Sequence, residues 1–164
     1  MARFPVVTGT NLLRQKLSLP AGFKGELNIL IIAFHQWHQS LVDTWIPAAD
    51  QTARNAPPVW YYELPVIQGM NPLSQMFINE GMRAGIPNLA TRERTITLYL
   101  DKRSFREALE IGDEATIHIL LTNRLGDILW RESGAYTPEK GRALLQAIDE
   151  LLPTLREHTV LATA

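Results

Sequence analysis

The chain of 164 residues contains no cysteine. It therefore forms no disulfide, and it has no thiolate for redox or nucleophilic catalysis. Zinc sites built on cysteine ligands are excluded for the same reason.

The chain also has no large excess of charge of one sign and no apolar segment long enough to span a membrane. Lysine and arginine number 16 against 17 aspartates and glutamates, a formal net charge of -1 that predicts no nucleic-acid partner. The opening residues MARFPVVTG have no apolar segment before Pro5. The longest apolar run, Leu27 to Phe34, is far shorter than the roughly 20 residues that span a membrane. We therefore expect a cytoplasmic protein without an integral membrane span. No glycine-rich phosphate loop is present, and the sequence predicts no cofactor.

The run from Leu27 to Phe34 predicts a buried parallel strand. It leads directly into HQWHQSLVDTW, whose periodicity is helical. Trp37, Leu41, Trp45 and Ala49 recur at helical spacing and form one stripe, of which Leu41 and Trp45 are expected in the core. The four tryptophans are expected in the core or at its edge. Pro47 should kink this helix. A strand that feeds a helix N-terminus is where α/β proteins place their chemistry.

The rest of the chain alternates between predicted strands and helices. We expect a single domain over residues 1–164, with an N-terminal hairpin at 4–24, a core at 25–152 and a C-terminal tail at 153–164. Pro65 should end the hydrogen-bonded part of the second core strand, and Pro153 should end the last helix. The predicted later strands are 58–67, 95–100, 116–121 and 127–131, and the later helices start near Asn71, Asp101 and Thr137.

The segment FHQWHQSLVDTWIP, Phe34 to Pro47, aligns without a gap on F-x-x-x-W-C-x-x-C-x-x-x-x-P. That pattern is the active-site stretch of the thioredoxin-like superfamily in its peroxiredoxin and thiol-disulfide oxidoreductase branch, which the chain resembles. His38 takes the tryptophan position, and Gln39 and Val42 take the cysteine positions. The segment ILLTNRLGDI resembles the family's late strand and hairpin, with Ile117 near the cis-proline position.

The resemblance implies an α/β three-layer fold with a central mixed sheet of about five strands, helices on both faces and an N-terminal β-hairpin extension. It also implies that the fold persists without thiol catalysis. FPVVTGTNL, TWIP and ILLTNRLGDILW are further similar to bacterial relatives of thioredoxin-like mitochondrial ATP synthase assembly factors. That similarity implies contact with a membrane subunit rather than catalysis.

The sequence thus predicts a non-catalytic domain that binds a protein or peptide, as a chaperone or assembly factor. The expected contact surface is the former active-site rim, defined as His35, Trp37, His38, Gln39, Ser40, Thr116 and His118.

Two chemical alternatives use the same residues. His35, His38 and His118 could together hold a metal. Ser40 could be a nucleophile activated by His38, although residues two apart on a helix do not face each other. The simpler interpretation is that one histidine packs, one is solvated and His118 points away.

A second surface was weighed against a structural role. Met82, Ile86 and Leu89 could form an apolar contact beside Arg83, but a helix end that packs back on the core is favoured. The charges of Arg92, Glu93 and Arg94 and those of Lys102 and Arg103 are expected on solvated faces.

Overall fold

The structure is a computed structural model that describes residues 2–86 and 88–163, those from 154 onward by their backbone alone. Seven strands form one mixed sheet in the order β2-β1-β5-β4-β3-β6-β7. The strands are β1 Val7–Asn11, β2 Lys16–Leu19, β3 Leu27–Ala33, β4 Val59–Gln68, β5 Ile96–Leu100, β6 His118–Asn123 and β7 Ile128–Ser133. The helices are α1 Gln39–Asn55, α2 Pro72–Gly85, α3 Leu89–Arg94, α4 Lys102–Ala108 and α5 Pro138–Thr163, and a 3-10 turn, Gln36–His38, precedes α1.

Strand β3 lies inside the sheet because its side chains are apolar on both faces. It pairs in parallel with β4 and antiparallel with β6. Leu30 packs in the same cluster as Phe105 of α4, whereas Ile29 packs in the opposite cluster with Trp45 of α1. Helices therefore cover both faces of a mixed sheet, and the N-terminal hairpin joins it through β1 and β5. The predicted fold class is confirmed.

Three parallel strands, β3, β4 and β5, end at the same edge of the sheet. The chain segments that leave this edge are joined to one another. Gly69 N–H donates to the carbonyl of Leu100 (2.9 Å), and Lys102 N–H donates to Oε1 of Gln68 (3.1 Å). The edge therefore brings together the first residues after each strand, including the 3-10 turn, α2 and α4.

Pro65 does not end β4, and that prediction was wrong. The strand continues to Gln68. Pro65 lies opposite Ala33, the last residue of β3, and the following residue, Val66, pairs with Leu98 of β5. The missing N–H thus falls where the strand changes neighbours, which is a position that proline tolerates.

Pro153 does not end the last helix either, because α5 continues to Thr163. A proline within a helix removes one backbone donor and introduces a kink, and the later turns retain their own hydrogen bonds. Residues 153–163 are therefore helical in the structure rather than an irregular tail. None of the helices among the described residues is both long and apolar enough to cross a membrane.

Helix α3 was not predicted from the sequence. Asn88 caps it by accepting a hydrogen bond from Thr91 N–H (3.2 Å). Arg94, at its end, lies over the ring of Trp60 at 4.5 Å and over the ring of Tyr61 at 4.2 Å. The expectation that this segment is a solvated face was therefore wrong for Arg94, which packs by cation–π contacts.

Helix α2 begins where the sequence predicted, because Asn71 accepts a hydrogen bond from Ser74 N–H (2.9 Å). Leu73, Phe77, Ile78 and Met82, the apolar residues that helical spacing assigns to one face of this helix, are not in the core. Leu73 is 72% exposed and Phe77 is 83% exposed. Polar contacts, described below, hold the helix against neighbouring elements.

Candidate functional site: the former active-site rim

The former active-site rim begins where β3 leaves the sheet and enters the 3-10 turn. His38, in that turn, is fully buried. Its Nδ1 accepts a hydrogen bond from the backbone N–H of Phe34 (3.0 Å), so the neutral ring carries its proton on Nε2. Burial, and next the positive charge that His35 can carry, lower the pKa of His38. His38 is therefore a neutral structural residue that closes the turn.

Trp37 points away from the core and is 60% exposed. Its ring stacks on His35 with an interplanar angle of 7° and meets the ring of His38 edge-on, with centroids 4.2 Å apart. The prediction that Trp37 belongs to the core was wrong. Trp45 and Ala49 of the same stripe are buried, but Trp37 precedes α1 in a 3-10 turn, where helical spacing does not apply.

Glu114 connects the rim to α4, and sequence reasoning missed it. Lys102 Nζ donates to Glu114 Oε1 (2.9 Å) and to the carbonyl of Phe34 (2.6 Å). The expectation that Lys102 lies on a solvated face was therefore wrong, since its side chain is only 17% exposed. Arg106 Nε lies 3.4 Å from Glu114 Oε2, and His35 Nε2 lies 3.4 Å from Oε1. Burial alone would raise the pKa of Glu114, but the hydrogen bond and positive charge of Lys102 outweigh it and lower the pKa. Glu114 is thus an ionised carboxylate shared by three basic side chains.

Thr116 and His118 lie where the chain approaches and enters β6, and both are half-buried. The ring of His118 meets the ring of Phe34 edge-on at 6.4 Å. Burial, and then the charge of Arg131, lower the pKa of His118. In residues 2–86 and 88–153, no group of three or more histidine, aspartate or glutamate residues is arranged to hold a metal ion.

Comparison with known proteins identifies the fold. No family model and no curated protein matches the chain. Several solved structures match most of the chain. The exposed lipoprotein thioredoxin of Streptococcus pneumoniae is 15% identical over 89% of this chain and 99% of its own, with a TM-score of 0.58. The thioredoxin domain of a thiol-disulfide oxidoreductase of Bacteroides vulgatus is 15% identical over 90% of this chain and 95% of its own (TM-score 0.52), and ScoI of Arabidopsis thaliana with copper bound is 9% identical over 91% and 99% (TM-score 0.59). The fold is thioredoxin-like. At these identities the similarity concerns the fold alone.

The residues at the two cysteine positions of the thioredoxin-like pattern, Gln39 and Val42, differ in their exposure to solvent. Gln39 is exposed at the first position of α1 and donates to Asp43 Oδ1 (2.9 Å), whereas Val42 is buried. Neither side chain supplies a thiolate, so this thioredoxin-like chain has no thiol oxidoreductase activity. Ser40 is exposed and donates to the carbonyl of Trp37 (3.3 Å). Because Nδ1 of His38 already accepts the Phe34 N–H, the geometry gives Ser40 no activating base there.

A buried carboxyl group, that of Glu63, lies on β4 and was not among the predicted site residues. Glu63 is 9% exposed and its Oε2 accepts a hydrogen bond from the hydroxyl of Thr95 (3.1 Å). Burial raises the pKa of Glu63 despite that hydrogen bond, and the negative charge of Asp43 raises it further. The apolar and aromatic residues on both sides of Glu63 in β4 are the signal that a glutamate at this position would be buried.

Proposed function

We propose that this thioredoxin-like chain acts without catalysis by binding a protein or peptide at the former active-site rim, as a chaperone or assembly factor. The observation that carries the proposal is Trp37. A tryptophan that is 60% exposed beside the carboxyl end of β3 presents a large apolar surface to solvent. Tryptophan is among the residues that contribute most to the energy of protein interfaces.

The turn that carries Trp37 is held on both sides. The N–H of Phe34 is bound by His38, and its carbonyl is bound by Lys102. The Trp37 ring itself rests on His35 and His38. A side chain that is already ordered loses little conformational entropy when a partner binds, which favours affinity.

The surroundings of Trp37 suit a partner that combines one apolar side chain with exposed backbone. Gln36, Gln39 and Ser40 are exposed around the indole and offer hydrogen-bond donors and acceptors. An apolar anchor inside a polar border is the usual anatomy of a protein interface. The resemblance of TWIP and neighbouring segments to assembly factors that act by contact is consistent with this proposal.

Crosslinking in the native cell tests the proposal, since any introduced cysteine is the only one in the chain. The Ser40→Cys protein, labelled with a photoactivatable crosslinker, should capture a defined set of proteins. Adding Trp37→Ala should remove that set, because the apolar anchor is lost. The matched control is Gln146→Cys on α5, an exposed position away from the rim.

The comparison requires that each variant is folded, as judged by circular dichroism. If the Ser40→Cys and Gln146→Cys proteins capture the same set, the rim is not a specific binding surface. If Trp37→Ala leaves the Ser40→Cys set unchanged, Trp37 is not the anchor.

A further inference from the structure

Helix α2 turns an apolar face to solvent. Leu73 is 72% exposed, Met76 57% and Phe77 83%, and their spacing places all three on one side of the helix. None of the fourteen residues of α2 is buried. In residues 2–86 and 88–153, no side chain covers this face.

Polar contacts with neighbouring elements fix the orientation of α2. The hydroxyl of Tyr99 on β5 bonds to Asn79 Oδ1 (2.7 Å) and to the carbonyl of Gln75 (3.1 Å). Arg14, in the β1–β2 turn, donates to both carboxylate oxygens of Glu80 at 2.9 and 3.0 Å. Rotating the apolar face inward would break these bonds, so its outward direction is a property of the fold.

The charge on α2 indicates what kind of partner fits. Its charged residues are Glu80 and Arg83, which lie 3.9 Å apart, and Glu80 is also bound by Arg14. Glu80 follows Met76 by four residues and Phe77 by three, so it borders the apolar face, where its charge is paired with Arg14 and Arg83. Recognition of nucleic acid or anionic lipid instead needs lysine and arginine side chains that are available to phosphate groups.

The size and shape of the face match a second copy of the same chain. At about 150–250 Å² for a phenylalanine side chain, and less for leucine and methionine, Leu73, Met76 and Phe77 together expose roughly 400 Å². A standard homodimer interface needs about 500 Å² of apolar surface per partner, and half-buried Ile78, which borders the same face, can supply part of the remainder. A shallow cavity of about 320 Å³, lined by Leu73, Ser74, Phe77 and Ile78, lies beside the protruding Phe77.

A surface that carries a protrusion beside a cavity can fit the same surface of a second copy, since each protrusion can enter the other cavity. We propose that α2 forms a homodimer interface, in which α2 of one copy packs against α2 of the other about a twofold axis. Each Phe77 ring enters the cavity beside Phe77 of its partner. A twofold axis closes the assembly at two copies, because the same patch serves both sides.

Sedimentation velocity on the full chain from about 1 to 100 μM tests the interface. The unchanged protein should be a dimer in this range. Phe77→Ser should weaken dimerisation about 100-fold or more, because both copies lose a buried phenylalanine. The control Leu125→Ser removes a leucine that is 68% exposed in the β6–β7 turn, and it should leave dimerisation unchanged.

A cysteine introduced at position 74 gives a second measurement that does not depend on the loss of Phe77. The Ser74→Cys protein should be joined into a covalent dimer by a short bismaleimide crosslinker, because position 74 lines the cavity at the proposed interface, and Gln146→Cys should not. A monomer at 100 μM, a dimer unaffected by Phe77→Ser in a folded protein, or equal crosslinking at both positions would overturn the proposal.

Discussion

Replacing Lys102 by methionine tests whether α4 holds the former active-site rim in place. Lys102 is the first residue of α4, and its side chain is only 17% exposed. Its ammonium group joins the carbonyl of Phe34 to Glu114. Methionine retains most of the apolar stem and removes the charge and all three donors.

The expected loss of stability is the sum of three effects. Phe34 is 2% exposed, so leaving its carbonyl without a donor costs about 1–3 kcal/mol. Losing the partly buried ion pair with Glu114 costs about 1 kcal/mol, between surface and buried values, because Glu114 still contacts Arg106 and His35. Removing a positive charge from a helix N-terminus raises the free energy of unfolding by about 0.3–1 kcal/mol, because the charge opposes the helix dipole. We therefore expect Lys102→Met to lower the free energy of unfolding by about 2 kcal/mol.

Urea unfolding followed by circular dichroism measures this loss, and a double-mutant cycle apportions it. Glu114→Gln and the Lys102→Met/Glu114→Gln double variant complete the cycle. The two residues are in contact, so their coupling energy should be about 1 kcal/mol. Hydrogen exchange of the Phe34 amide should also accelerate in Lys102→Met, since the turn that buries this amide loses its second attachment.

Two results would refute this account of the rim. A change in unfolding free energy below about 0.5 kcal/mol would mean that the Phe34 carbonyl finds another partner or water without cost. Unchanged exchange at Phe34 would mean that His38 alone fixes the turn, and that Lys102 contributes only to α4.

Other expectations follow from buried polar groups. The raised pKa of Glu63 means that the folded state binds the carboxyl proton more tightly than the unfolded state does. The free energy of unfolding should therefore fall as the pH rises from about 4.3, the pKa of an unperturbed glutamate, toward the pKa in the folded state. The melting temperature of Glu63→Gln minus that of the unchanged protein should therefore increase across that pH range. A difference that does not depend on pH would contradict the raised pKa of Glu63. Trp45 is fully buried and its Nε1 donates to the carbonyl of Gly134 (2.9 Å), so Trp45→Phe should cost about 2–4 kcal/mol in urea unfolding followed by circular dichroism. A loss below about 1 kcal/mol would show that the α1 contact with the β7–α5 loop is dispensable.

Features with local causes were predictable from the sequence. Asn71 and Asp101 both accept hydrogen bonds from backbone N–H groups three residues later, and both helix starts were predicted. The apolar run of β3 identified the centre of the sheet because a strand buried on both faces has no polar alternation. The local F-x-x-x-W-C-x-x-C-like spacing correctly indicated a thioredoxin-like fold.

Features that depend on distant contacts were not predictable. The pattern of α2 identifies its apolar face, but only Tyr99 and Arg14 determine which side of the helix meets the body. Trp37 has the spacing of a core residue and lies one turn before the helix that the spacing assumes. Glu114 has no local motif, and its role arises because α4 and the rim meet at one edge of the sheet.

The rim illustrates how a thioredoxin-like strand-to-helix junction can keep a defined shape without thiols. The residues at the cysteine positions are an exposed glutamine, Gln39, and a buried valine, Val42, so no covalent bond restrains the first turn of α1. Instead, both backbone polar groups of Phe34 are bound by side chains, one from the turn itself and one from α4. If the junction served only to connect β3 to α1, a buried Trp37 would make the folded state more stable than an exposed one. Burial of apolar surface contributes free energy that an exposed indole does not provide. A restrained turn that presents a tryptophan to solvent is what the proposed binding surface requires.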